Sequence, residues 1–205
     1  MASPWIADQP LLLASTSRTR LTILVGAGLP VETQSPGVDE RAVEAAARAE
    51  ALAPPQLARR LAAEKALAVS RRHPGRLVLG ADQVLDCEGT VLHKPSGREA
   101  AKEHLSRLSG RTHALHSAVA LARDGAVTES FVDSACLTMR PLDGPALDRY
   151  LDLAGPEAFL SVGAYRLEGL GIHLFEKVEG DHFTILGLPL IPLLAVLRRG
   201  GYLSF

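Results

Sequence analysis

Four consecutive apolar positions, Leu11-Leu12-Leu13-Ala14, break abruptly into hydroxyls and two arginines, Ser15-Thr16-Ser17-Arg18-Thr19-Arg20. An apolar run of this length predicts a short strand buried on both faces. Helical spacing follows at Leu21, Leu24 and Val25 and predicts a helix over residues 19–26, stopped by Gly26-Ala27-Gly28. A strand that feeds a Ser/Thr/Arg turn at a helix N-terminus can hold an anion, because the first helical N–H groups lack intrahelical partners and the helix dipole favours negative charge there. Ser15 or Ser17 can equally serve as a helix cap, with the arginines solvated.

The pattern then alternates. Residues 30–34 read as a second strand, and Val38-Asp39-Glu40-Arg41 as a charged turn before an Ala/Glu/Arg helix. Pro54-Pro55 interrupts that helix, and Pro55 can open the next, whose apolar face runs through Leu57, Leu61, Ala62 and Leu67. Leu77-Val78-Leu79-Gly80-Ala81 predicts another buried strand, with Asp82-Gln83 delivered at its end; Val84 and Leu85 can continue a strand to a turn at Glu88-Gly89. Residues 96–108 read as a helix with Ser96 as cap and Glu99 three residues on, a capping box. Two long strands, residues 112–122 and 126–139, flank an Asp124-Gly125 turn. A helix over 143–153, a strand over 172–178, a turn at Gly180-Asp181 and a helix over 188–199 complete the reading. The expected fold is α/β: an elongated, twisted mixed sheet flanked by helices, in two lobes around a cleft. Residues 1–10 form an N-terminal tail and 11–205 one domain.

Composition narrows the partners. Of the 205 residues 47% are hydrophobic, enough for a sizeable core, and the formal net charge is −1. Balanced charge argues against a broad nucleic-acid footprint while leaving room for a small charged ligand. Two cysteines, Cys87 and Cys136, give neither a disulfide framework nor a thiolate zinc site. Residues 1–10 lack a basic start followed by an apolar stretch, so no signal peptide is read. The longest apolar run, residues 185–197, is broken by Gly187, Pro189 and Pro192 and is shorter than the ~20 residues a membrane span needs. A soluble cytoplasmic protein without membrane or nucleic-acid partners is expected.

The remaining polar residues suggest chemistry. At the edge of a strand the Asp82 carboxylate can bind a metal or take a proton from water, or can simply close a turn. Lys94, before Pro95, suits a phosphate as a point charge, and Lys65 lies beside Glu64 on a helix, where a solvated face is the plainer reading. Asp39-Glu40 offers oxygen ligands for Mg²⁺, or an acidic first helical turn. His113 and His116 fall on opposite faces of a strand, and Glu179-Gly180-Asp181-His182 reads as a turn. Neither a P-loop nor a dinucleotide fingerprint is present. Together, one anion-friendly turn, two lysines and two acidic positions make an inventory for metal-assisted phosphate chemistry.

The stretches LLLASTSRTRLTIL, VDER, LAAEKA, GADQVL, HKP, LSGRTH, GAYRLEGLG and EGDHFTILGLPL stand in the order found in Maf-like nucleoside triphosphate pyrophosphatases, which the chain resembles over residues 11–199. The resemblance implies an elongated mixed α/β fold with a deep cleft. It also implies hydrolysis of a nucleoside triphosphate between the α and β phosphates, with Mg²⁺ or Mn²⁺, to a monophosphate and pyrophosphate. By the same resemblance Ser15, Arg20, Lys65 and Lys94 contact the triphosphate, Glu40 helps hold the metal, and Asp82 is the proton acceptor or shares the metal. Leu21 stands where the family often has a second arginine. Thr19, Gln83 and Glu168 fall at base-reading positions. Gln83 and Glu168 resemble the branch acting on 7-methyl-GTP rather than the dTTP/UTP branch, whose members carry Thr and Gln there; against this, Thr19 stands where the 7-methyl-GTP branch often has an aromatic residue. A dTTP/UTP or broad-range pyrophosphatase, a non-catalytic nucleotide-binding regulator of septum formation, and a homodimeric assembly are the other expectations that the resemblance carries.

Overall fold

The computed structural model describes residues 3–205, so the first two residues of the expected tail lie outside it. Seven strands form one mixed sheet in the order β2-β1-β3-β5-β6-β7, with β4 paired to β3 off that path. They are β1 (Leu11–Ala14), β2 (Val31–Thr33), β3 (Val78–Cys87), β4 (Thr90–Leu92), β5 (Thr112–Arg123), β6 (Ala126–Met139) and β7 (Phe175–Glu179). The helices are α1 (Arg18–Gly26), α2 (Glu40–Ala49), α3 (Pro54–Ser70), α4 (Arg98–Leu108), α5 (Gly144–Ala154), α6 (His182–Ile185) and α7 (Leu190–Arg199). β1 runs parallel to β2 and β3, and every other pairing is antiparallel. No helix among the described residues is long and apolar enough to cross a membrane.

β1 is apolar at every position because both of its faces are covered. Leu11 and Leu13 join Leu24 of α1 and Leu193 and Leu197 of α7, while Leu12 and Ala14 join Leu61, Ala62 and Ala66 of α3. A third cluster covers the other end of the long strands, where Leu85, Leu115, Leu137 and Met139 meet Leu105 of α4 and Leu151 of α5. One glycine sets the closest approach. A Cβ on Gly80 of β3 would lie 2.2 Å from the Ala62 carbonyl oxygen and 2.6 Å from the Ala66 nitrogen, so α3 rests directly on the strand there.

Four local expectations are corrected. β3 continues through Val84 and Leu85 to Cys87, as one reading of the pattern allowed, so Asp82 lies mid-strand and not at a strand terminus. The Ser96 cap does not form: Gly97 is the N-cap of α4 and no side chain caps that helix, because Ser96 lies one residue too early to reach the orphan N–H groups. The expected strand over 172–178 begins only at Phe175, since Leu170–Leu174 is a 3₁₀ helix. There Gly171 packs so closely on Arg166 that a Cβ would stand 2.4 Å from its carbonyl oxygen. Pro54, one residue before the expected Pro55, opens α3.

Candidate active site

The cleft arises from a gap in the sheet. β1 pairs with β3 only as far as Ala14 opposite Gly80, and β4 joins the same strand from Leu85 onward. Between these contacts Ala81, Asp82, Gln83 and Val84 keep a partner on the β5 side alone. The edge they leave opens into a cavity of about 740 Å³ lined by Ser15, Thr19, Arg20, Glu40, Lys65, Asp82, Gln83 and Lys94. Because successive strand residues face opposite sides, Asp82 turns toward α3 while Gln83 turns toward α6.

Lys65 is the centre of an ion triad in which Lys65 and Asp82 are buried and Glu40 is exposed. Its Nζ lies 2.5 Å from Asp82 Oδ1 and 2.8 Å from Glu40 Oε1. Both Lys65 and Asp82 are buried, so Lys65 does not belong to a solvated helix face; Glu64 pairs instead with Arg60. Burial raises the pKa of Asp82, and the nearby Lys65 and Arg20 charges oppose that shift. Burial likewise lowers the pKa of Arg20, opposed by Asp82 and Glu40. Asp82 Oδ2 has no protein partner among the described residues and faces the cavity.

The Ser/Thr/Arg turn divides its tasks. Ser17 is the N-cap of α1 and accepts from the Arg20 N–H, so the capping reading holds for Ser17. Ser15 Oγ accepts from the Ser17 N–H at 3.2 Å and from Arg20 Nη1 at 3.4 Å, which leaves its own proton free to donate into the cavity. Arg20 is anchored: Nε donates to Gly187 O at 2.9 Å and Nη1 to Ala81 O at 2.8 Å. The second of these bonds satisfies a carbonyl on the open edge of β3. The Arg20 Nη2 group has no protein partner among the described residues, so one edge of the guanidinium remains available. Lys94 is exposed at the cavity wall and forms no ion pair among the described residues.

A second compartment of about 480 Å³ adjoins the first and shares Thr19, Gln83 and Lys94 with it. Glu168 lines only this one, with Glu157 and Arg166. Arg166 Nε donates to Glu168 Oε1 at 3.0 Å, and Nη1 pairs with Glu157. The Glu157–Arg166–Glu168 cluster carries two carboxylates against one guanidinium, while Arg18 and Lys94 line the same compartment. The sequence-predicted residues are thus all gathered: eight in the first compartment, and Glu168 in the second.

A family model described as "Maf-like protein" matches residues 10–200. The chain belongs to the Maf-like family. A nucleoside triphosphate pyrophosphatase of Nitrobacter winogradskyi is 55% identical over 200 residues, covering 98% of each chain. A 7-methyl-GTP pyrophosphatase of Mesorhizobium japonicum is 52% identical over 193 residues, covering 94% of this chain and 97% of its own. A nucleoside triphosphate pyrophosphatase of Rhodopseudomonas palustris is 50% identical over 200 residues, again covering 98% of each.

Sequence reading missed several polar residues around the cleft. Arg41 lines the first compartment, and its only signal was its place next to Glu40. Glu157 and Arg166 complete the electrostatics of the second compartment. Ser117, Asp133 and Thr184 surround Gln83 from behind. They lie 34, 50 and 101 residues along the chain from it, beyond any local pattern.

Proposed function

We propose that this protein hydrolyses a nucleoside triphosphate between its α and β phosphates, giving a nucleoside monophosphate and pyrophosphate. The observation that carries the reading is the buried Lys65–Asp82 pair, joined from the cavity rim by the exposed Glu40 and opening onto a cavity beside Ser15 and Arg20. Its Maf-like relatives with pyrophosphatase names support the same activity.

In this reading the triphosphate lies in the first compartment. Ser15, Arg20 Nη2 and Lys94 bind its oxygens, and Lys65 stabilises the charge that develops as pyrophosphate leaves. A water attacks the α phosphorus, the bond to the bridging oxygen breaks, and Asp82 accepts the proton released by the water. Burial suits Asp82 to this task by raising its proton affinity.

The chemistry of the donor set fits Mg²⁺ or Mn²⁺. Glu40 and Asp82 are hard oxygen donors that line one cavity and stand close together, since both contact Lys65 Nζ. Two carboxylates together with substrate phosphates can hold such a cation. Held there, the cation would neutralise phosphate charge and acidify the attacking water.

The second compartment takes the base, read by Thr19, Gln83 and Glu168. A 7-methylated guanine carries positive charge on its ring and N–H donors on its pairing edge, both complementary to the Glu168 carboxylate. The proposed substrate is therefore 7-methyl-GTP, a reading the Mesorhizobium japonicum relative supports. A nucleotide panel with Mg²⁺ or Mn²⁺ tests both statements. Monophosphate plus pyrophosphate, with 7-methyl-GTP ranked first, is expected; orthophosphate as the sole initial product rejects the cleavage site. Tight binding without turnover points instead to a non-catalytic nucleotide-binding regulator. The Glu168→Gln/Gln83→Thr double variant should move preference toward dTTP and UTP, and an unchanged ranking removes these residues as base readers.

A further inference from the structure

Gln83 is held so that only one end of its amide faces the substrate. Its Nε2 is surrounded by three oxygens: Ser117 Oγ at 3.0 Å, Thr184 O at 3.2 Å and Ile185 O at 2.9 Å. Two of these are backbone carbonyls and can only accept. The Ser117 hydroxyl gives its proton to Thr184 O at 2.7 Å, so toward Gln83 it too can only accept. An amide oxygen placed among three acceptors would be repelled by all of them, so the Gln83 orientation is decided by its surroundings. Its Oε1 has no protein partner among the described residues and faces the cleft that Gln83 lines. Gly187 lies beside Oε1, where a Cβ would come into van der Waals contact with it at 3.5 Å.

The cradle around Nε2 is itself anchored. α6 spans only four residues, His182–Ile185, too few to hold a helix by its own hydrogen bonds. Thr184 ties it down. Its Oγ1 donates to Asp133 Oδ2 at 2.6 Å, and its N–H donates to Asp181 Oδ2 at 2.9 Å. Ser117 and Asp133 are direct cross-strand partners on β5 and β6, so both grips on α6 come from one face of the sheet at one register position. Ser117 and Thr184 are fully buried.

We infer that Ser117, Thr184 and Asp133 are positioning residues for base selection: they lock the Gln83 amide so that it presents an acceptor, and the nucleotide must meet it with an N–H donor. The inference rests on the reading of the second compartment as the base site. It adds that the lock, not Gln83 alone, sets the hydrogen-bonding sense of the edge that is recognised. A guanine-type edge meets this requirement with N–H groups; a uracil or thymine edge offers fewer donors and more carbonyl oxygens.

Three variants test the lock: Thr184→Val, which keeps shape and loses the hydroxyl, Ser117→Ala, and Thr184→Ser as the conservative rescue. Initial rates with 7-methyl-GTP and with UTP give the discrimination ratio in kcat/KM, and inhibition by inorganic pyrophosphate reports the phosphate side separately. Thr184→Val and Ser117→Ala should each lower the ratio roughly tenfold, the equivalent of about one hydrogen bond. The loss should appear in KM for 7-methyl-GTP, with kcat and pyrophosphate inhibition within about twofold of the parent enzyme. Thr184→Ser should restore the ratio. Gln83→Leu, which removes the acceptor, separates the two levels of the argument. If Gln83→Leu collapses the ratio while Thr184→Val and Ser117→Ala leave it intact, the lock is overturned and the base site stands. If Gln83→Leu also leaves the ratio intact, the base-site reading falls and the inference falls with it.

Discussion

Asp82 holds a carboxylate, a neighbouring ammonium and an open oxygen within one buried point, and its chemistry follows from that environment. Replacing it with Asn keeps the volume and removes the proposed proton acceptor, while Lys65 retains Glu40. Turnover should fall by about 10²–10⁴-fold, measured as pyrophosphate release, with the melting temperature close to that of the parent. A second buried titratable residue belongs to stability. His113 is buried on β5 against the Tyr165 hydroxyl at 2.6 Å, and burial pushes its pKa down to about 4. Between the unfolded value near 6.5 and about 4 the unfolded chain binds the extra proton, so stability falls as pH drops through that window and is fully present above it. This corresponds to about 3 kcal/mol at most. His113→Gln should show a flatter dependence of melting temperature on pH from 7 to 4; an unchanged slope would assign the acid sensitivity to other groups. In the sequence Asp82 stood out as a carboxylate next to an apolar run, but His113 gave no sign of its partner, which is 52 residues away.

At the scale of elements, the site depends on how closely α3 lies on β3. Gly80 and Asp82 point to the same side of the strand, and the helix residues that would collide with a Cβ at Gly80 flank Lys65. Gly80→Ala must therefore lift α3 away and pull Lys65 from Asp82. A stability loss of about 1–3 kcal/mol is expected, together with a drop in turnover larger than stability alone explains. Thermal melts and steady-state rates on the same sample separate the two effects. Most elements were legible because their patterns are local: the apolar run of β1, the helical spacing of α3 and the Asp124-Gly125 turn between β5 and β6. The failures have separate causes. The capping-box reading of Ser96 ignored which residue leaves helical geometry first, and the strand reading of residues 172–174 met a close backbone contact with Arg166 that the apolar pattern does not encode.

Across the whole molecule, the two chain ends close on each other. Trp5 stacks on Tyr202 with ring centroids 5.6 Å apart, Trp5 bridges to Leu203, and Ser204 N donates to Pro4 O at 2.9 Å. Trp5 lines neither compartment, so Trp5→Ala should lower stability by about 1–2 kcal/mol, a fall of several degrees in melting temperature for a chain of this size, without changing kcat. A melting temperature equal to the parent's would show that the docked N-terminal segment contributes nothing. The sequence by itself determined the strand and helix inventory, the α/β class and the residue types of the cleft, because periodicity, turn chemistry and charge act over a few neighbouring positions. Tertiary structure alone decided that β1 and β4 leave a gap along β3, that Lys65 is buried between two carboxylates, and that Gln83 turns its oxygen outward. Each of these depends on strand register and on contacts between distant segments, and a buried polar group takes its orientation from whatever partners the fold brings to it.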